Sequence, residues 1–138
     1  MVYLLDTNVI SELRRPRPHG AVVAWLHKVP DSDLYISAVT IGELQAGVEL
    51  TREQNAERAA EIESWLEQVA ETYNILAMDA RTFRSWARLM HRQPDNLIED
   101  AMIAATAAVH NLIVVTRNVR DYARLGARTF NPFSVPAD

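Results

Sequence analysis

The sequence contains no cysteine, and Lys28 is the only lysine among 14 Lys and Arg residues. Without cysteine there is no disulfide framework and no thiolate metal site, as expected of a cytoplasmic chain. The four histidines, His19, His27, His91 and His110, are scattered with no HExxH-like spacing, which argues against zinc. There is no Gly-x-Ser-x-Gly elbow and no glycine-rich phosphate loop, so nucleophilic catalysis and P-loop chemistry are unsupported. No apolar run is long enough to span a bilayer, and the N-terminus lacks the pattern of a signal peptide. A net charge of −4 does not advertise nucleic-acid binding. The cations that are present are nearly all arginines, which bind phosphate in bidentate fashion.

What is present is a patterned globular chain. Its 138 residues, 49% apolar, suffice for one domain spanning residues 1–138 with a real core. Short apolar runs at Val2–Leu5, Leu34–Ile36, Ile75–Met78 and Ile113–Val115 predict strands, with Thr129-Phe130 a fifth. Pro16 and Pro18 end the helix that Ser11-Glu12-Leu13 begins. Between the strands, Val22, Trp25, Leu26 and Val29 form one helical face, and Ser37 caps a helix carrying Glu43. Thr51-Arg52-Glu53-Gln54 has the form of a capping box opening a helix with Ala59, Ile62, Leu66, Val69 and Tyr73 inward. Asp79 caps a helix burying Phe83, Trp86, Ala87 and Met90. Asn96 and Glu99 repeat the capping-box pattern before a nearly all-apolar helix from Leu97 to His110. Alternating strands and helices imply an α/β fold, a central and mostly parallel sheet of four to five strands flanked by helices. The active crevice of such a sheet lies at the carboxyl ends of its strands.

Four acids stand at the edges of these core segments. Asp6 ends the first strand, Glu43 interrupts an apolar helix, Asp100 opens the central helix, and Asp121 closely follows the fourth strand. Each has an ordinary alternative. Asp6 would cap a helix, Asp100 would complement a helix dipole, and Asp121 would pair with Asn118 as a capping box. Glu43 would pair with an arginine, and Gly42 and Gly47 beside it would admit a second backbone closely. These alternatives must hold at four places that the α/β reading brings to one end of the sheet. A buried carboxylate is costly unless paired or metal-bound. Hard oxygen donors without His or Cys suit Mg²⁺ or Mn²⁺. Clustered carboxylates holding such a cation are apparatus for hydrolysing phosphodiesters.

The segments Leu4-Leu5-Asp6-Thr7-Asn8-Val9-Ile10, Ile36 to Leu44, Glu99 to Ala107 and Val115 to Tyr122, with the final Asn131-Pro132-Phe133, resemble PIN-domain ribonucleases. More narrowly, they are similar to the VapC toxins of type II toxin–antitoxin (VapBC) systems. The match covers nearly the whole chain in order. The resemblance implies a PIN fold, Mg²⁺- or Mn²⁺-dependent endoribonuclease activity and inhibition by a VapB-type antitoxin. It also implies a homodimer and a toxin–antitoxin hetero-oligomer. By motif, Asp6, Glu43 and Asp100 take the core acidic positions and Asp121 the more variable fourth, as catalytic and metal ligands. Thr7, Asn8, Thr116 and Asn118 become supporting polar positions of the same pocket. Glu99 departs from many relatives, which carry a small or apolar residue there; its expected role is capping, with an outer-sphere acid as the alternative.

Arg81, Arg84, Arg88 and Arg92 recur at helical spacing as a stripe able to track an RNA backbone, or else a solvated face paired with Glu53, Glu57, Glu61 and Glu67. Arg14, Arg15 and Arg17 form a competing phosphate site. Trp25 and Trp86 are expected in the core, and Trp65 in the core or at a protein interface. Two other readings remain. A receiver-type phosphoacceptor domain would need an acid pair after the first strand and a late lysine, neither of which is present. A catalytically inactive PIN scaffold would only bind partners.

Overall fold

A computed structural model of the chain describes residues 1–134. Five parallel strands form its sheet: β1 (Tyr3–Leu5), β2 (Leu34–Ser37), β3 (Asn74–Leu76), β4 (Ile113–Val115) and β5 (Thr129–Phe130), in the order β3-β2-β1-β4-β5. The order excludes a receiver-type domain, whose doubly wound sheet runs 2-1-3-4-5. The helices are α1 (Thr7–Glu12), α2 (Gly20–Lys28), α3 (Ala38–Gln54), α4 (Ala56–Thr72), α5 (Ala80–Met90), α6 (Ile98–His110) and α7 (Val119–Arg124).

Strand alternation divides the core between the two faces of the sheet. Leu4 and Val114 point to the face packed by Leu97, Ala101, Ile103 and Tyr122 of the α6–α7 side. Leu5 and Val115 point to the other, against Val9, Ile10, Val22 and Leu26. Each of these fully enclosed aliphatic side chains contributes roughly 2 kcal/mol of burial. β1 is therefore central in the sheet and covered on both sides. Parallel pairing of β1 with β2 and β4 brings Asp6, the start of α3 and Thr116 to one carboxyl edge.

Several boundaries differ from the sequence expectation. α3 runs unbroken to Gln54, because the Thr51 hydroxyl donates back to Gly47 O at 3.0 Å instead of capping a new helix. The break falls at Asn55, whose side chain accepts from Arg58 N at 3.0 Å and caps α4. Asn96 and Glu99 form no capping box. Pro94 leads a 3₁₀ turn at Asp95–Leu97, and Leu97 opens α6 without a side-chain cap. β3 covers Asn74–Leu76, so Ala77 and Met78 lie beyond it. α5 is capped by Asp79, which accepts from Thr82 N at 2.9 Å as expected. Its inner face holds Trp86 and Met90 as expected, together with Thr82 and Leu89. Phe83 (45% exposed) and Ala87 face solvent. Gly42 and Gly47 admit no close backbone, since a Cβ on either would meet nothing within 4 Å. No helix of the described residues is long and apolar enough to cross a membrane.

Candidate active site

The peptide N–H of Asp6 donates to Val115 O at 2.9 Å, extending the β1–β4 ladder one residue and fixing where the side chain emerges. Its Oδ1 accepts from Thr7 N at 2.8 Å and so caps α1. Its Oδ2 accepts from the Thr116 hydroxyl at 2.8 Å and from Asn8 Nδ2 at 3.2 Å. Capping and membership of the acidic site thus belong to the same carboxylate. Asp6 is buried, and burial raises its pKa against the opposing pull of these donors.

Asp100 sits in the first turn of α6. Its pKa rises from 3.8 to about 6, first through burial and then through the negative charges of Asp6, Asp121 and Glu43. Asn118 links two of these acids, with Nδ2 donating to Asp121 Oδ2 at 2.9 Å and to Asp100 Oδ2 at 3.3 Å. Asn118 is the N-cap residue of α7, but its side chain makes no cap bond. The Asn118–Asp121 pair is therefore a side-chain tie rather than a capping box. Asn118 itself is anchored by its N–H, which donates to Thr116 Oγ1 at 2.9 Å. Asn8 closes the ring. Its Nδ2 lies 3.3 Å from Thr116 Oγ1, and its Oδ1 accepts from Arg117 N at 3.2 Å.

Glu43 joins through Thr7, whose hydroxyl donates to Oε1 at 2.9 Å and lies 3.2 Å from Thr40 Oγ1. The residue as a whole is exposed, yet its carboxylate is partly shielded where it meets Thr7. That shielding raises its pKa, and the charges of Asp6 and Glu99 add to the effect. The alternative of a partner arginine fails. Among the described residues the ion pairs are Arg15–Glu12, Arg52–Glu49, Arg52–Glu63 and Arg58–Glu61. Asp100 thus feels the charges of the other three acids, and none of the four forms an ion pair among the described residues.

Residues 3–127 match the PIN domain. The chain belongs to the PIN-domain family. It is 36% identical over 137 residues to Toxin FitB of Neisseria gonorrhoeae, spanning 94% of this chain and 97% of that protein. Identity to the VapC ribonuclease Y4jK of Sinorhizobium fredii is 35% over 137 residues, spanning 94% and 96%. Among solved structures, FitAcB from Neisseria gonorrhoeae superposes with a TM-score of 0.87 at 35% identity, covering 97% of this chain and 100% of that one.

Within this PIN domain, no three acidic or imidazole groups of the described residues converge into a ready-made metal shell. Such a shell is not what Mg²⁺ needs. Mg²⁺ binds through one or two carboxylates and completes its octahedron with water and substrate phosphate. The donor set fits such an ion, because all four acids offer oxygen and their mutual repulsion is unrelieved. Buried Asp6 and half-buried Asp100 are the residues that would hold it.

Two residues escaped the sequence reading, and a third, Glu99, was expected in a different role. Tyr122 looks like a core aromatic on a short helix, yet its hydroxyl donates to Asp100 Oδ1 at 3.5 Å. Glu12 is buried because Oε1 accepts from His19 N at 2.8 Å, holding the Pro-rich loop closed. Glu99 is exposed, caps nothing, and adds its charge to that felt by Glu43.

The coupled acids set a pH dependence. The folded chain binds the Asp100 proton more tightly than the unfolded chain does. This group therefore favours folding below pH 3.8, and the advantage is lost as pH rises to about 6. In a fully enclosed site the effect would be ~3 kcal/mol; solvent at half-exposed Asp100 reduces it to about 1 kcal/mol. In metal-free buffer, denaturant unfolding of wild type and Asp100→Asn should converge at pH 4 and separate by pH 7, with the variant more stable. Parallel pH profiles would contradict the coupling.

Proposed function

We propose that this chain is a Mg²⁺- or Mn²⁺-dependent endoribonuclease, acting as the toxin of a type II toxin–antitoxin module. The observation that carries the reading is the set of four neighbouring carboxylates, none in an ion pair among the described residues, at the carboxyl edge of a PIN-domain sheet. Kinship with proteins named Toxin FitB and VapC ribonuclease supports the substrate class and the biological role. Likeness to VapBC-5 of Mycobacterium tuberculosis, a member of the VapBC family of toxin–antitoxin systems, at 28% identity and a TM-score of 0.63, supports assembly with an antitoxin. By the same kinship, a VapB-type antitoxin inhibits this chain, which forms a homodimer and a toxin–antitoxin hetero-oligomer.

The residues divide the work. Asp6 and Asp100 hold the cation, Asp6 fixed by Thr7, Asn8 and Thr116 and Asp100 held by Asn118. When bound, the cation supplies Lewis acidity to water and to the phosphoryl oxygens. Glu43 accepts from Thr7 at one oxygen, and its other oxygen orients the attacking water or takes its proton. Asp121 and Asn118, tied together, complete the site on the substrate side, where Asp121 adds negative charge for a second ion. Thr7, Asn8 and Thr116 act through these acids. The test is cleavage of total cellular RNA by the purified chain with Mg²⁺ and with EDTA. Cleavage in Mg²⁺ alone is expected. No cleavage under either condition would favour an inactive PIN scaffold.

The arginines of α5 supply a route for the RNA. Arg81, Arg84 and Arg88 are exposed on one face, and none forms an ion pair among the described residues. The glutamates of α4 are therefore not their partners. Arg92 lies past the end of α5 in a left-handed turn, φ 68°, and leaves the helical stripe. Trp86 Nε1 donates to Ile98 O at 3.2 Å, so the later part of α5 lies against the start of α6, two residues before Asp100. Arg15 is engaged with Glu12, and Arg14 lies over the Trp65 ring at 6.0 Å, which leaves the competing basic loop less free. Replacing Arg84 and Arg88 together with alanine should weaken RNA binding about tenfold and flatten its salt slope by about 1.4, two single-strand phosphate contacts' worth. An unchanged slope would exclude the stripe.

A further inference from the structure

Tyr122 heads the fully buried side chains by size, yet its hydroxyl end is not in apolar surroundings. Its hydroxyl points to Asp100 Oδ1 at 3.5 Å. At 3.5 Å the contact is long for O–H···O, so the phenol stands beside the Asp100 carboxylate with room to close on it. Burial and the surrounding negative charge keep the phenol protonated, so it acts as a donor throughout.

The neighbouring contacts say what that donor accomplishes. Asp100 is otherwise held only by Asn118, at 3.3 Å to its other oxygen. Asn118 and Tyr122 lie at the N-cap and the fourth residue of α7, so one short helix presents both donors to both oxygens of the same carboxylate. The ring of Tyr122 lies in the buried cluster that includes Leu97, Ala101 and Leu125, which places its hydroxyl end at Asp100. Asp6, by contrast, is fixed by Thr7, Asn8 and Thr116 and does not depend on Tyr122.

We propose that Tyr122 is a positioning residue, whose hydroxyl holds the Asp100 carboxylate in register with Asp6 so that the pair can share one divalent cation. The inference rests on the cation-dependent reading above. It makes the hydroxyl, rather than the ring, the functional part of the side chain. Hydrogen-bond donors behind a ligating carboxylate are typically worth 10–100-fold in metal affinity.

Mn²⁺ binding followed by electron paramagnetic resonance, with wild type and Tyr122→Phe, tests it. Phenylalanine keeps the ring in the core and removes only the hydroxyl. The expected result is about tenfold weaker Mn²⁺ binding with an unfolding midpoint no lower than wild type. RNA cleavage by the variant should be reduced at limiting Mn²⁺ and restored at saturating Mn²⁺, with KM for RNA unchanged. Equal Mn²⁺ affinity in the two proteins would overturn the positioning role while leaving the nuclease reading intact. Weaker binding accompanied by a lowered midpoint would overturn it too, as a loss of packing. Failure of wild type to bind Mn²⁺ would remove the cation reading and this inference together.

Discussion

Asp6→Asn and Asp100→Asn should each lower Mg²⁺-dependent RNA cleavage on the order of a thousandfold, because each removes an anionic ligand worth several kcal/mol of charge stabilisation. Their effects on stability should diverge, and that divergence tests the site's geometry. At position 100 an amide NH₂ can face the Tyr122 hydroxyl, which rotates to accept, while the carbonyl accepts from Asn118. No donor is stranded and the repulsion from Asp6, Asp121 and Glu43 is relieved, so metal-free Asp100→Asn should be about 1 kcal/mol more stable at pH 7. At position 6 the carbonyl must stay on Thr7 N, which turns the new NH₂ toward Asn8 Nδ2, itself a donor. Asn8 cannot flip freely, since its Oδ1 already accepts from Arg117 N. Asp6→Asn should therefore be less stable by about 1–2 kcal/mol. Cleavage rates would be measured beside urea unfolding. Wild-type activity in either variant would remove that acid from the mechanism.

Thr116→Val should be nearly as damaging without touching an acid. Thr116 is fully buried, and its hydroxyl donates to Asp6 Oδ2, accepts from Asn118 N and lies beside Asn8 Nδ2. Valine fills the same space, so no cavity forms and the loss is purely of hydrogen bonding. The Asn118 N–H is orphaned and Asp6 loses a donor, at a cost of about 2–3 kcal/mol. Mn²⁺ affinity should drop about 10-fold or more as Asp6 and Asn118 both lose their orientation. Thr116→Ser, which keeps the hydroxyl, should stay close to wild type in both. Calorimetric Mn²⁺ titration and urea unfolding of the two variants decide the matter, and a valine variant indistinguishable from serine would contradict the hub role.

The sheet and the acids were readable in the sequence because both rest on short-range pattern. Leu4-Leu5 before Asp6 and Val114-Val115 before Thr116 mark strands that end where a parallel sheet puts its crevice. The helix boundaries that failed turned on single side-chain choices. Thr51 bonds backward to Gly47 while Asn55 caps forward, and both residue types are good caps. The outward Phe83 could not be told from a core residue, since apolar spacing carries no information about which helix lies opposite. What the sequence hid at the site was direction. Asn118 joins Asp100 to Asp121 across 18 residues, and Tyr122 reaches Asp100 across 22. Neither link leaves a periodic trace. Glu12 was overlooked for the same reason, because its partner is the backbone of His19 beyond two prolines.

The central claim is that these acids gather to hold a divalent cation. Crystals of the chain grown with Mn²⁺ and measured for anomalous scattering test it most directly. The expected result is a peak at coordination distance from both Asp6 and Asp100, absent in Asp100→Asn crystals. A wild-type structure with no peak between those two carboxylates, or with its strongest peak elsewhere on the molecule, would contradict the account.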